Sequence, residues 1–387
     1  MSFTDSTLIF SLLIFAITLS LTPRKFIAFV SVFFLLVFLF IYSPYSAVVF
    51  LISSTLTFYI FSLKKESFLL PGIFSLVVIF ILFKIQTFFD MANPLLYWGY
   101  PVGLSYFAVR QIHFMFEAYK ENITEITYIE FISYAGFFPA FFTGPIHRFP
   151  EFINDLKSGS FNLKNLSAGL ERILYGYAKI VFVANYLVMD VFQIYCQSVK
   201  PFSKPLFQYL ECIRYGANLY FQFAGYTDVA IGVALIAGFK LKENFNFPFL
   251  AKNINEFWKR WHISLSDWCR DYVFKPAYAQ TRIFSISIIL TMLAIGIWHE
   301  FSSRYVAWAL YHGMGIALWQ FFDKNKLFRF GDDRKFMKTI ATVVSVLITV
   351  NFVILSFCIT RVDSLERSLK IFTTILGSFF HHVFFFI

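Results

Sequence analysis

Long apolar runs fill the first quarter of the chain, at residues 8–21, 26–41, 47–63 and 72–83. A helix that spans a bilayer needs about 20 mostly apolar residues, with a range of roughly 17–25. Some of these runs are shorter, so we expect flanking aromatic rings, which sit well at the level of the lipid headgroups, to complete them. The pattern predicts membrane-spanning α-helices.

Proline and glycine interrupt the pattern in two later segments. Residues 94–103 hold two prolines and two glycines, and residues 137–152 hold three prolines and one glycine. No continuous helix accommodates such clusters. At membrane depth, non-helical backbone is tolerated only where protein buries it or where it lines a water-filled cavity. We therefore expect re-entrant or interfacial segments around an internal space.

The chain divides into three parts by composition. Residues 1–90 are plain scaffold helices, residues 91–320 carry most of the Gly, Pro, His and Trp clusters, and residues 335–387 return to plain spans. We see no internal repeat and no stretch that would form a soluble domain. The sequence predicts an all-α, polytopic membrane protein, with residues 1–387 forming a single membrane domain and its functional centre in the middle part.

Composition agrees with this class, because 58% of the residues are hydrophobic and 14% are charged, against about 25% charged in soluble domains. The net charge of +10 indicates basic cytoplasmic loops and attraction to anionic lipid, not a nucleic-acid partner. Arg24 and Lys25, and then Lys64 and Lys65, lie in loops separated by two spans. Their side is predicted to be cytoplasmic, with the N-terminus outside and the first run a retained helix.

Residues 242–276 form the strongest polar segment. Large apolar side chains recur there at intervals of three or four positions: Phe257, Trp258, Trp261, Leu265 and Trp268. This spacing predicts one amphipathic helix in the membrane interface. The same segment carries His262, and Arg270 beside Asp271 is expected to form a structural ion pair.

His299 follows the apolar stretch "LTMLAIGIW" directly and precedes Glu300. Ionisable residues inside spans are rare and are functional candidates by default, and we expect His299 to be buried. A histidine has an ordinary pKa of about 6.5, which suits a general base near neutral pH. His312, on the next candidate span, is predicted to face the same cavity. Glu300 has three open interpretations: a structural partner, a contact to the acceptor, or the first residue of a loop.

Other chemistries fit less well. No G-x-S-x-G motif is present, and H-E-x-x-H fails because "HEFSS" ends in serine, so we expect neither a serine hydrolase nor a metal site. The four cysteines lack metal or disulfide spacing. His113 and His147 lie beside Arg110 and Arg148, and we interpret them as hydrogen-bonded structural histidines or part of a polar lining.

Six stretches between residues 100 and 315 carry a family resemblance: "YPVGLSYFAVRQIHFMFEAYK", "FFPAFFTGPIHRF", "LYFQFAGYTDVAIGVALIAGFKLKENFNFPF", "FWKRWHISLSDWCRDYVF", "GIWHE" and "ALYHG". In this order they resemble membrane-bound O-acyltransferases of the bacterial branch. That branch includes alginate O-acetylation proteins, peptidoglycan O-acetyltransferases and the D-alanyl transfer protein of teichoic acids.

The resemblance implies a ring of roughly 10–12 transmembrane helices, with re-entrant and interfacial helices around a central funnel. It implies that His299 is the catalytic histidine at the base of a cavity, and that His262 assists it or holds the acyl donor. Many relatives have glycine after the catalytic histidine, whereas this chain has Glu300, which leaves the acceptor open.

Our hypothesis is an O-acyltransferase of a bacterial cytoplasmic membrane, with no bound cofactor. It would take an acyl group, with acetyl as the leading candidate, from a cytoplasmic thioester such as acetyl-CoA or an acylated carrier protein. The acceptor would be a hydroxyl of an extracytoplasmic cell-envelope polysaccharide. The residues expected to line the tunnel or support the donor are Trp261, Trp298, His312, Asn244, Asn246, Arg260 and Arg270.

Three alternatives remain open. The acyl group could be D-alanyl, passed from a carrier protein to a teichoic acid-like polymer. A separate extracytoplasmic partner could complete the transfer, with this chain as the conduit. From a different class, a transporter or channel would explain the broken helices, although it would not explain "FWKRWHISLS", and transporters commonly show inverted repeats.

Overall fold

The four N-terminal apolar runs each fold as a helix. The computed structural model describes residues 6–89, 100–123, 125–325 and 335–384, and the ordered elements in this part are helical. The helices formed by the four runs are α1 (Ser6–Leu21), α2 (Ile27–Tyr42), α3 (Pro44–Ser62) and α4 (Glu66–Phe89). The prediction of these helices is confirmed. Pro94 and Gly99, from the first interrupted segment, lie outside the described residues.

The remaining helices vary widely in length. They are α5 (Leu104–Tyr119), α6 (Tyr128–Ala135), α7 (Phe149–Ser158), α8 (Leu163–Tyr177), α9 (Phe192–Val199), α10 (Lys204–Ile236), α11 (Ile254–Trp258), α12 (Ile263–Cys269), α13 (Lys275–Thr281), α14 (Phe284–His299), α15 (Ser303–Lys324), α16 (Lys335–Thr360) and α17 (Leu365–Phe384). Single 3₁₀ turns lie at Arg24–Phe26, Phe138–Ala140 and Pro248–Leu250, and wider π-helical segments at Ala178–Val191 and Arg270–Phe274.

Six helical segments of the described chain are long and apolar enough to cross a membrane: Arg24–Tyr42, Pro44–Ser62, Glu66–Ile85, Leu163–Val199, Lys204–Ile236 and Met337–Thr360. Two shorter apolar helices, Thr7–Leu21 and Phe284–His299, accompany them. The all-α, polytopic class is thereby confirmed. The larger number of spans and their arrangement as a ring around a funnel stay predictions.

The chain folds as two compact units. The first comprises Met1–Ala178 and Phe223–Glu243, and the second comprises Lys179–Gln222 and Asn244–Ile387. The expectation of one membrane domain, divided by function at residues 1–90, 91–320 and 335–387, stays a prediction.

The second interrupted segment lies in the core of the first unit. Phe137, Phe138 and Phe141 are fully buried, and the Phe138 ring lies 5.3 Å from that of Phe15 and 5.0 Å from that of Phe38. The backbone leaves the helical path here, as its prolines predict, and protein surrounds it. This is one of the two settings in which such backbone is tolerated at membrane depth.

Two glycines bring α8 and α10 into close contact within the first unit. A Cβ atom added to Gly232 would lie 2.6 Å from the carbonyl oxygen of Gly169, and one added to Gly169 would lie 2.7 Å from that of Gly232. Small residues at helix interfaces allow this approach in membranes, where association depends on packing. The reciprocal contact therefore depends on the absence of both side chains.

We expect Gly232→Ala to lower the free energy of unfolding by about 1–3 kcal/mol, because the new methyl group would clash with backbone. Gly377→Ala is the matched control, since a Cβ atom there would meet nothing within 4 Å. Alanine in that open helical position should be neutral or slightly stabilising. Thermal unfolding in detergent measures both, and equal stability of the two variants would contradict the close contact.

Candidate functional site

His262 lies at a sharp break between two short helices. Helix α11 ends at Trp258 and α12 begins at Ile263, and His262 between them has φ 45° and ψ 53°. Residues other than glycine rarely adopt this left-handed conformation. The prediction of one continuous amphipathic helix through this segment was therefore wrong, although its five large apolar residues are all buried as a set.

Asn244 holds this break in place. Its side-chain oxygen accepts hydrogen bonds from the Ser264 hydroxyl (2.6 Å) and from the Ser264 N–H (3.2 Å). Its carbonyl oxygen accepts a hydrogen bond from the Ile263 N–H at 2.9 Å. Asn244 is fully buried and occupies N–H groups in the first turn of α12 that lack partners within that helix. The αL conformation of His262 is thus supported by a residue distant in sequence.

Asn246 and Arg260 bond to each other beside this turn. The Asn246 N–H donates to the Arg260 carbonyl oxygen at 3.0 Å, and the Arg260 guanidinium donates to the Asn246 carbonyl oxygen at 3.2 Å. Arg260 also pairs with Glu256 at 2.7 Å. The two residues therefore brace the turn, and their predicted role on the donor side stays a prediction.

The structure brings His262, Trp298 and His299 together. The centroid of the His262 ring lies 5.6 Å from that of Trp298, and the Trp298 and His299 rings are 4.8 Å apart. The side chain of His262 is buried, whereas His299 is exposed. The expectation that His299 would be buried was wrong, because α14 ends at this residue and the chain turns away after it.

A tight hairpin of α14 and α15 completes the surroundings of His299. A Cβ atom on Gly296 would lie 2.8 Å from the Tyr305 carbonyl oxygen, so glycine permits the close approach. Tyr305 stacks on the His299 ring with centroids 5.7 Å apart, and Trp308 lies 6.0 Å from it. Sequence reasoning missed both aromatic residues. Tyr305, Trp308 and His312 follow one another at intervals of three and four positions on one helix, and this spacing was the available signal.

His312 packs against Trp308. Its ring centroid lies 4.9 Å from that of Trp308, and its Nδ1 atom accepts a hydrogen bond from Trp258 at 3.3 Å. It is 1% exposed. This geometry gives His312 a packing role, and the prediction that it lines a cavity is not tested.

Glu300 serves as a structural partner, one of the three interpretations left open by the sequence. Both of its carboxylate oxygens accept hydrogen bonds from Arg304, at 3.0 and 2.5 Å. Arg304 in turn donates to the carbonyl oxygens of Thr360 and Val362, at 3.1 and 2.9 Å. The pair ties the α14–α15 turn to the end of α16.

Two predicted site residues lie in other environments. Trp261 is buried among the rings of Tyr220, Phe245, Phe249, Phe257 and Phe357. Arg270 is exposed and pairs with Asp267 at 2.6 Å and Asp271 at 3.4 Å, which confirms the expected ion pair. Their predicted roles toward the donor and the tunnel stay predictions.

The histidines of the first unit have structural contacts, as we expected. His113 Nε2 accepts a hydrogen bond from the Phe149 N–H at 3.0 Å, at the start of α7. His147 Nε2 donates to the Tyr134 carbonyl oxygen, and the Tyr134 hydroxyl donates back to the His147 carbonyl oxygen, both at 3.2 Å.

His299 lies at the end of an apolar helix. It is the last residue of α14, where the carbonyl groups of the final turn carry a partial negative charge. His262 lies close enough to act on it electrostatically. Within the described residues, no three His, Cys, Asp or Glu side chains are grouped to hold a metal ion.

Comparisons with known proteins agree with one another. The model of the membrane-bound O-acyltransferase family, MBOAT, matches residues 58–360. The probable alginate O-acetylase AlgI of Pseudomonas putida is 34% identical over 56% of this chain and 45% of its own length. The teichoic acid D-alanyltransferase of Bacillus subtilis is 32% identical over 67% of this chain and 68% of its own length. The peptidoglycan O-acetyltransferase of Helicobacter pylori is 27% identical over 81% of this chain and 65% of its own length. The chain spans less than half the length of the alginate O-acetylases that it matches.

We expect Asn244→Ala to lower the free energy of unfolding by about 1–3 kcal/mol, because Ser264 loses its buried acceptor. Asn246→Ala should change it by less than about 0.5 kcal/mol, since its side chain is exposed and its backbone bonds remain. Denaturation in detergent compares the two. If both variants unfold alike, Asn244 does not hold the turn.

Proposed function

The chain belongs to the membrane-bound O-acyltransferase family, and from this premise we propose that it transfers an acyl group from a thioester to a hydroxyl of a cell-envelope polysaccharide. Acetyl is the leading acyl group, with acetyl-CoA or an acylated carrier protein as its donor. The names of the Pseudomonas putida and Helicobacter pylori relatives, an O-acetylase and an O-acetyltransferase, support this choice.

One observation carries the proposal: an exposed imidazole, His299, ends an apolar helix beside the buried imidazole of His262. A general base must be reachable by the hydroxyl that it deprotonates. A buried structural histidine such as His312 does not meet that condition. The exposure of His299 therefore favours the proposed role, although the sequence predicted the opposite.

The proposed step begins when His299 takes the proton of the acceptor hydroxyl as its oxygen attacks the thioester carbonyl. A C–O bond forms and the C–S bond breaks, so the products are an ester and a thiol. The imidazolium formed at His299 returns the proton to the departing thiolate. The C-terminus of α14 stabilises this cation while it exists.

His262 would assist at the same site, either by holding the donor or by tuning His299 through the Trp298 ring between them. Asn244 then acts as a positioning residue, because it fixes the turn that carries His262. Trp261, Asn246, Arg260 and Arg270 are proposed to support the donor from the neighbouring surface.

D-alanyl transfer is the second candidate. The Bacillus subtilis teichoic acid D-alanyltransferase matches two thirds of both chains, a larger share than the alginate O-acetylases match. In that case the donor would be a D-alanyl carrier protein and the acceptor a teichoic acid-like polymer. Supplying each labelled donor separately distinguishes the two candidates.

We place the protein in a bacterial cytoplasmic membrane with its N-terminus outside. The basic loops Arg24–Lys25 and Lys64–Lys65 support this orientation through the positive-inside rule. The thioester would then approach from the cytoplasm and the acceptor from the far side. A separate extracytoplasmic transferase is a further proposed partner, and labelled polymer made by the purified chain alone would exclude a requirement for it.

We expect His299→Ala to reduce acyl transfer by about 10²–10⁴-fold, the usual contribution of a general base. Membranes with equal amounts of folded wild-type and variant protein receive labelled acetyl-CoA or charged carrier protein, and label on envelope polymer is counted. Transfer by the variant at the wild-type rate would contradict the assignment of His299.

Glu300→Gln should change the transfer rate by less than about tenfold, because the carboxylate pairs with Arg304 and such pairs contribute only about 1 kcal/mol. The same assay measures it beside His299→Ala. A loss as deep as that of the histidine variant would show instead that Glu300 acts in the chemistry.

A further inference from the structure

Arg110 is a buried cation that the proposed chemistry does not use. It lies on α5 in the first unit and is 1% exposed. Two of its nitrogens donate to backbone carbonyl oxygens, Nε to Tyr106 and Nη2 to Ala140, both at 3.2 Å. The third nitrogen, Nη1, is buried and has no hydrogen-bond partner among the described residues.

Among the residues that the structure describes, no carboxylate pairs with Arg110. Within the described part of the chain, the ion pairs of Asp and Glu are made with other cations, and none of them includes Arg110. Its electrostatic neighbours are Tyr106, Tyr134 and His147. These groups carry no negative charge near neutral pH.

An uncompensated charge in this position is costly. Moving an isolated ion from water into protein costs several kcal/mol even after relaxation, and a guanidinium does not escape by losing its proton. Two carbonyl dipoles offset part of the cost. A water molecule at Nη1 would supply a hydrogen bond but no charge.

A buried histidine interacts with this cation. His147 is 3% exposed, its ring interacts with the backbone carbonyl groups of Tyr134 and Pro145, and it is close enough to Arg110 to interact with it electrostatically. Burial and the neighbouring charge of Arg110 lower the pKa of His147, so its ring stays neutral and Arg110 carries the positive charge of this region.

We propose that Arg110, with His147 beside it, binds a small monovalent anion inside the first unit. The chemical class is a halide or a small carboxylate. A monoanion matches the single positive charge, whereas a dianion would leave a buried negative charge uncompensated. The anion would serve as the missing counter-ion of the aromatic core around α5.

Bromide is the probe, because elemental analysis gives the number of bromide ions bound per chain. The full-length protein, purified in detergent, is dialysed against bromide, with gluconate as the bulky replacement anion at constant ionic strength. We expect about one bromide per wild-type chain beyond the number held by Arg110→Met, and a higher Tm in bromide than in gluconate, because a ligand of the folded state stabilises it. Arg367→Met removes an exposed arginine and should behave as wild type.

Equal bromide in wild type and Arg110→Met, together with a Tm that is the same in bromide and gluconate, would overturn the proposal. If Arg110→Met does not fold, Arg110→Lys replaces it as a variant that keeps the positive charge. The difference in Tm between bromide and gluconate, measured on the wild-type protein, then still tests the proposal. Competition with acetate distinguishes the two classes of anion. If acetate displaces bromide, the site accepts small carboxylates, and if bromide is retained, the site is specific for halides.

Discussion

Hydrocarbon offers no hydrogen-bond partners, so a chain this apolar must satisfy its polar groups within its own fold. The second unit meets this constraint with a few specific bonds. Asn244 accepts hydrogen bonds from the first turn of α12. Arg304 donates to Glu300 and to two carbonyl oxygens at the end of α16, and Trp258 donates to His312. The first two sets of bonds hold the turns beside His262 and His299, whose rings pack against Trp298.

The sequence predicted the spans well because length and apolar content alone decide them. The first three runs became helices within about three residues of their expected ends, and the fourth run lies inside the longer helix Glu66–Phe89. The break at His262 was not predictable from local spacing. It depends on Asn244, which lies 20 residues before Ser264 in the chain. The helical periodicity of a segment does not reveal a hydrogen-bond partner that is distant in sequence.

The sequence singled out His299 as a candidate but did not predict its surroundings. His299 stood out because an apolar run ended in an ionisable residue, and family order assigned it a role. Its exposure was not predictable, since the end of α14 depends on the hairpin that Gly296 permits against Tyr305. Glu300, left open by the sequence, proved to be half of an ion pair whose partner lies one helical turn ahead.

In the mechanism that we propose, the imidazole of His299 removes the proton of the acceptor hydroxyl. Rescue of His299→Gly by added imidazoles tests it most directly, with folded variant in membranes and a labelled thioester donor. We expect imidazole to restore transfer and more basic imidazoles to restore it faster, as general base catalysis requires. Rescue that does not depend on basicity, or no rescue by any imidazole small enough to enter, would contradict it.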